Sequence, residues 1–224
     1  MTETPANVLA LIPAYNEAQR LRPVVLAAAQ HLPVLVVDDG SRDATAEVGR
    51  GAGAEVLHQI PNQGKGAALR AGFRWALERD FAAVITLDAD GQHDPEEIPL
   101  FLQAFAERQG DLIIGGRDFR KMPFLRRWAN TLGTGLFSWA LGQRVRDNQS
   151  GYRLVSRRLM AYALQSTEQG FEFEVQMIAD CVRAGFCMDW VDIRTIYAGE
   201  TSHIHPWKHS MNFLRLVART RRSR

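Results

Sequence analysis

Cysteine is nearly absent. Cys181 and Cys187 are the only two in 224 residues. They are too few and too badly spaced for a disulfide framework or a zinc site, so a reducing cytoplasm is the expected setting. Long apolar runs are missing as well, and none approaches the ~20 residues that cross a bilayer. The opening MTETPANV lacks a basic stretch followed by an apolar one, so no secretory leader is expected. No internal repeat, low-complexity tract or linker divides the chain. The phosphate-cradling pattern GxxxxGK(S/T) is absent too.

What is present suits one domain with a full core, since 46% of the residues are hydrophobic. The net charge of +2 conceals an asymmetry. Residues 1–112 hold 9 basic against 16 acidic side chains, a balance of −7, and residues 113–224 hold 18 against 9, a balance of +9. An acidic half suits a cation, and a basic half suits an anionic partner.

Strand and helix signals alternate. VLALIPA (8–14), PVLVVDD (33–39), AEVLHQ (54–59), FAAVITLD (81–88) and DLIIGG (111–116) read as short, buried strands. Helices are expected after Asn16 to about Gln30, after an N-cap at Asp43, and from NQGKG (62–66) to Arg79. Another follows HDPEEI, with Asp94 as N-cap, Pro95 at the first position and Glu97 completing a capping box. Pro99 should separate its first turn from the rest. The second half is less regular. A helix is expected over 123–141, a strand at YRLVS, a helix over 171–184, a strand over 187–197 and a last helix from Trp207. The alternation predicts an α/β fold with a mostly parallel sheet and right-handed crossovers. Ligands of such sheets bind beyond the carboxyl ends of the strands. The polar clusters AYNE, DDGS, DAD and GGRD all fall there, which predicts one site built from four loops.

TLDADGQHDPEE (86–97) carries five acidic side chains directly after an apolar run. Asp88 and Asp90 are one residue apart, and in an extended segment both carboxylates point the same way. Two such anions either repel or share a cation, and hard oxygen donors suit Mg²⁺ or Mn²⁺. The alternative is a solvated acidic turn, which is the reading for Asp94, Glu96 and Glu97. His93 is expected to support the pair rather than ligate. Asp38 and Asp39 either shape a turn or accept hydrogen bonds from a nucleotide. Asn62, Gly64, Lys65 and Gly66 form a glycine-flanked turn at a helix start, where backbone N–H groups and the Lys65 charge can hold an anion. His31 and His58 read as structural or surface groups, and Phe73 and Trp75 as core.

ALIPAYNEA, VLVVDDGSRDAT, NQGKGAALRAGF, TLDADGQHDPEEI and IIGGRD occur in that order. Together they strongly resemble glycosyltransferase family 2, the inverting GT-A fold, and within it polyprenyl-phosphate sugar synthases of the dolichol-phosphate mannosyltransferase type. The likeness covers residues 7–205. It implies a Rossmann-like, mostly parallel central sheet flanked by helices. It also implies a nucleotide-diphosphate sugar donor carrying GDP or UDP, and a divalent metal. Pro13, Ala14, Tyr15 and Glu17 would line the nucleoside pocket, and Asp39 would contact the base. Lys65 and Ala89 would lie along the nucleotide. Asp88, Asp90 and Gln92 would hold the metal against the diphosphate. Arg117 and Arg127 would bind phosphate groups and, with Asp90, serve catalysis. On the acceptor side the resemblance points to Asp147, in DNQSGYRL, and to Glu172 and Glu174, in GFEFEVQM. The loop YAGETSHIHPWKH departs from the mannosyltransferase pattern and resembles bacterial soluble members, with His203 and His205 as acceptor-side candidates.

A phosphate monoester acceptor is already ionised near pH 7 and attacks without a general base. A hydroxyl acceptor needs one. Asp147, Glu172 and Glu174 are the candidates and none stands out, which favours a lipid phosphate. RRWANTLGTGLFSWALG (126–142) carries Trp128, Leu132, Leu136 and Trp139 at helical spacing, either as a core face or as an interfacial one. WKHSMNFLRLVARTRRSR (207–224) aligns Trp207, Met211, Leu214 and Ala218 beside a run of arginines, as a membrane-surface helix or a solvated tail. The expected organisation is one catalytic domain over 1–206, with a nucleotide-binding half to residue 116, an acceptor half from 117, and a basic amphipathic segment over 207–224. A cytoplasmic enzyme is expected, peripheral at the inner membrane face, with no nucleic-acid partner. The rival readings are transfer to a hydroxyl acceptor, and an inactive nucleotide- or membrane-binding protein. The absence of a GGxGTR-type opening argues against a nucleotidyltransferase.

Overall fold

The computed structural model describes residues 7–121, 124–166, 170, 172–194 and 216–221. One sheet runs through it. Its strands are β1 (Val8–Ala14), β2 (Val34–Asp38), β3 (Glu55–His58), β4 (Ala83–Thr86), β5 (Leu112–Arg117), β6 (Arg153–Ser156) and β7 (Met188–Ile193). Their spatial order is β3-β2-β1-β4-β6-β5-β7. β1 pairs in parallel with β2 and β4, β2 with β3, and β5 with β7. β6 lies antiparallel between β4 and β5.

The strand sequences explain the layering. Along β1, Leu9 and Leu11 enter one core while Val8, Ala10 and Ile12 enter the other, and β2 divides Leu35 and Val37 from Val34 and Val36 in the same way. A strand buried on both faces reads as an unbroken apolar run, which is why these segments lack polar alternation. The helices are α1 (Leu21–Ala28), α2 (Thr45–Gly51), α3 (Lys65–Glu78), α4 (Ile98–Arg108), α5 (Phe124–Leu141), α6 (Arg157–Ala163) and α7 (Glu172–Arg183). α3, α5, α6 and α7 cover the first face, through residues such as Phe73, Phe137, Met160 and Met177. α1 and α4 cover the other, through Leu21, Val25, Ile98 and Phe101.

Several elements differ from the sequence expectation. α1 begins at Leu21 rather than directly after Asn16. The loop before it gives its backbone donors to the loop after β2: Asn16 N–H bonds Ser41 Oγ at 2.9 Å, and Glu17 N–H bonds Thr45 Oγ1 at 2.8 Å. Asn16 takes a left-handed φ of 56° there. Asp94 does cap its helix, accepting the Glu96 N–H at 3.1 Å. Pro95–Glu97 form a separate 3₁₀ turn ahead of α4, as Pro99 predicts. Glu97 completes no capping box. It is buried, and its Oε1 accepts the Arg194 N–H at 2.9 Å. The sequence reading also missed α6, which Ser156 caps by accepting the Leu159 N–H.

The antiparallel insertion of β6 matters most for the site. β1, β2, β4 and β5 all finish at one edge of the sheet. Because β6 runs the other way, its N-terminal turn, residues 147–152, arrives at that same edge.

Candidate active site

The loops after β1 and β2 are tied together and to the start of α3. Asp39 N–H bonds the Ala14 carbonyl at 2.9 Å. The Asp39 carboxylate accepts the Gln63 N–H at 2.9 Å and the Gly64 N–H at 2.7 Å. The anion at the α3 N-terminus is therefore a side chain of the chain itself, which corrects the expectation that this turn stands ready for a ligand phosphate. Asp38 is buried and accepts from Ser41 N–H, with His58 Nδ1 2.7 Å from its other oxygen. Gly40 has φ +73°, and a Cβ there would stand 2.8 Å from the Asn62 nitrogen. Only glycine lets this turn pack so closely. Tyr15 is exposed beside it, Pro13 and Glu17 are half-buried and Ala14 is buried.

β4 ends at Thr86, so Asp88 and Asp90 lie beyond the strand, with Asp90 in a turn and Gly91 at φ +79°. The extended geometry that would aim both carboxylates alike is not what positions them. Lys65 Nζ donates to Asp88 Oδ1 at 2.6 Å. Gln92 bonds Asp90 twice, through its N–H at 3.0 Å and its side-chain amide at 2.9 Å. Ala89 is buried between them. His93 Nδ1 accepts the Asp88 N–H at 3.0 Å, and the ring stacks on Tyr152 with centroids 5.0 Å apart. Burial pushes the His93 pKa down, with the Asp88 carboxylate opposing. Burial alone would raise the Asp88 pKa, but the Lys65 charge and hydrogen bond, with the His93 and Arg117 charges, together outweigh it and hold the carboxyl below the usual carboxylate range.

Two of the acceptor-side candidates, Asp147 and Glu174, are engaged in ion pairs. Arg117, at the end of β5, grips Asp147 with two bonds of 2.6 and 2.9 Å. Asp147 is fully buried. Glu174 Oε2 lies 3.1 Å from Lys65 Nζ. Glu172 is half-buried at the start of α7. Arg127 lies on an exposed face of α5, along a groove of about 610 Å³ with Phe124, Trp128, Thr131, Leu132 and Leu136. His203 and His205 lie outside the described residues.

Two residues missed by the sequence reading complete the site. Gly151 approaches the acidic loop so closely that a Cβ would meet Lys65 Nζ at 3.0 Å and Asp88 Oδ2 at 3.1 Å. Arg153 is 1% exposed and binds the carbonyls of Ser150 and Asn148, and that of Glu174 through Nη1. The quoted SGYR turn was the available signal for Gly151. The same turn contains Arg153, but nothing in a single sequence marks an arginine as fully buried.

Loops gathered at one sheet edge, an acidic pair after β4 and an arginine after β5 are the arrangement that the motif order implied. The sequence profile of Glycosyl transferase family 2 matches residues 10–168. The chain belongs to this family. It is 36% identical to the undecaprenyl-phosphate mannosyltransferase of Micrococcus luteus, over 80% of this chain and 79% of the relative. It is 31% identical to the polyprenol monophosphomannose synthase of Mycolicibacterium smegmatis, over 85% and 80%. The glucosyl-3-phosphoglycerate synthase of Mycobacterium tuberculosis, solved with Mn²⁺, UDP-glucose and phosphoglyceric acid, superposes with a TM-score of 0.73 at 19% identity. That superposition covers 96% of this chain and 78% of the other, and it shows the shared α/β GT-A fold alone. As a family 2 member the chain is a glycosyltransferase.

Proposed function

We propose that the chain transfers a sugar from a nucleoside-diphosphate sugar to a polyprenyl phosphate at the cytoplasmic face of a membrane. One observation carries this choice of acceptor. The two buried carboxylates on the acceptor side, Asp147 and Glu174, are each bound to a cation, Arg117 and Lys65. A carboxylate held that way is a poor base for a hydroxyl acceptor, whereas an ionised phosphate needs no base. The α5 face gives independent support. Phe124, Trp128, Leu132 and Trp139 are 76%, 61%, 68% and 59% exposed, and aromatic side chains at that density suit the lipid interface. Two of the three enzymes named above carry undecaprenyl phosphate or polyprenol in their names.

A divalent cation fits the acidic loop. Among the described residues no three His, Cys, Asp or Glu side chains form a cage for an ion. Mg²⁺-type ions characteristically use one or two carboxylates and complete their shell with substrate phosphates and water. Asp88 and Asp90, with Gln92, are the side chains that would hold it. Such an ion neutralises negative charge on the departing diphosphate.

The remaining steps belong to the chain. Tyr15, Glu17 and the Asp39 turn line the nucleoside end. Arg127 presents a guanidinium fork to phosphate oxygens, which suits that geometry better than an ammonium group does, while the Arg117 fork is held by Asp147 and contributes its charge from there. An acceptor phosphate oxygen attacks the anomeric carbon, the bond to the donor β-phosphate oxygen breaks, and the nucleoside diphosphate leaves with inversion. Positioning supplies most of the rate.

The test is incubation with radiolabelled GDP- and UDP-sugars, short-chain polyprenyl phosphates and Mn²⁺ or Mg²⁺. Label should move into the organic phase, and Asp90→Asn should abolish that transfer without changing the melting profile. Transfer to hydroxyl acceptors alone, or a fully active Asp90→Asn, overturns the proposal.

A further inference from the structure

One ammonium stands at the meeting point of three distant segments. Lys65 opens α3, Asp88 follows β4, and Glu174 belongs to α7. Lys65 Nζ binds both carboxylates, at 2.6 and 3.1 Å. The turn before β6 closes over them, since the absent Gly151 side chain is what leaves room for Nζ. Glu174 is fixed from behind by Arg153, which donates to its backbone carbonyl. Its second carboxylate oxygen, Oε1, is buried with no hydrogen-bond partner among the described residues. Leaving a buried acceptor unpaired is unfavourable, so packing alone gives no reason for a glutamate there. A fixed negative charge does.

We infer that Lys65 and Glu174 are a positioning pair that sets the charge of the donor site: the Lys65 ammonium offsets Asp88, which keeps the acidic loop from taking a divalent cation before a diphosphate is present, and Glu174 offsets part of that ammonium so that a cation can still enter with the diphosphate. The inference rests on the sugar-nucleotide reading of the site. Its logic is electrostatic. Removing the Lys65 charge leaves Asp88 and Glu174 as an uncompensated anionic pair, which attracts a cation and repels a diphosphate. Removing the Glu174 charge leaves an ammonium in surplus, which does the opposite.

The experiment is isothermal titration of the full chain and of Lys65→Met and Glu174→Gln, each checked by thermal melting. Two probes are used: Mn²⁺ alone, and UDP or GDP in the presence of EDTA. Lys65→Met should tighten Mn²⁺ by about tenfold and weaken the metal-free diphosphate, the order expected for one nearby unit charge after screening. Glu174→Gln should weaken Mn²⁺ and tighten the metal-free diphosphate by a similar factor. A structural role would weaken both ligands in both variants, and that outcome, or Mn²⁺ affinities equal to wild type, overturns the inference. If Lys65→Met does not fold, the near-isosteric Glu174→Gln decides alone, because its two shifts must have opposite signs. Failure of the donor reading is separate. It appears as a wild-type chain that binds neither diphosphate even with Mn²⁺, while the Mn²⁺ comparison among the variants still decides the pair.

Discussion

At the scale of the residue, the site is a set of side chains whose partners fix their charge. His93 is the clearest case. Its Nδ1 accepts a backbone N–H, so the ring is neutral with its proton on Nε2. Burial lowers its pKa. An unfolded histidine titrates near 6.5, so below that pH the unfolded chain takes up a proton that the folded one resists. The contribution to stability is complete above about pH 6.5 and is lost as pH falls toward the lowered value. Melting followed by calorimetry should therefore show wild type losing stability between pH 7 and 5.5. His93→Asn, which retains an acceptor oxygen, should lose less over that range. Equal slopes would show that the ring does not titrate with folding. The sequence placed His93 beside the acidic pair as a supporting group, and its ring accepts the Asp88 N–H. It gave no sign that Lys65 and Glu174 would meet, because they are 109 residues apart and stand in separate motifs.

At the scale of the element, α5 carries the open question of what the exposed apolar face touches. The sequence allowed a core helix or an interfacial one. Phe137, Ala140 and Leu141 take the core side, while Trp128, Leu132 and Trp139 remain outward. Of the predicted stripe only Leu136 packs against the core. Replacing Trp128 and Leu132 together with glutamate removes exposed apolar area, so the fold should hold and its melting temperature should change little. Binding to vesicles of anionic lipid, measured by co-sedimentation, should fall by at least about tenfold, given ~1.5–3 kcal/mol for burying each large apolar side chain. Undiminished vesicle binding would remove α5 from the membrane contact. No described helix is long and apolar enough to cross a bilayer.

At the scale of the whole molecule, the two sequence halves share one sheet. β6 and β7 come from the second half and bracket β5 from the first. The end of the chain also returns to this body. Residues 216–221 are helical, and Leu216, Val217 and Thr220 are buried. Arg219 donates to Gln176 at 3.1 Å, and the Arg221 guanidinium lies 4.9 Å from the Trp139 ring centre. The amphipathic stripe expected through Ala218 is thus rotated, since Ala218 is exposed, and its members Trp207, Met211 and Leu214 lie outside the described residues. Leu216→Ala should lower unfolding free energy by about 2–4 kcal/mol, the range for truncating a buried leucine. Urea denaturation checks this, and a change under 0.5 kcal/mol, the usual size for a surface substitution, would place that segment off the core.

The sequence by itself determined the α/β class, the five parallel strands up to residue 117 and the four loops that carry polar clusters. Local chemistry sufficed, because doubly buried strands are apolar throughout and their carboxyl ends are where polarity returns. It also determined the family, through motifs whose order needs no coordinates. Only the tertiary structure decided that β6 runs against its neighbours, delivering Gly151 to the acidic loop and Arg153 to the start of α7. Only it assigned Asp39 to the α3 N-terminus, Asp147 to Arg117 and Glu174 to Lys65. The physical reason is the same in each case: a charge is specified by what compensates it, and these partners lie 24 or more residues away along the chain.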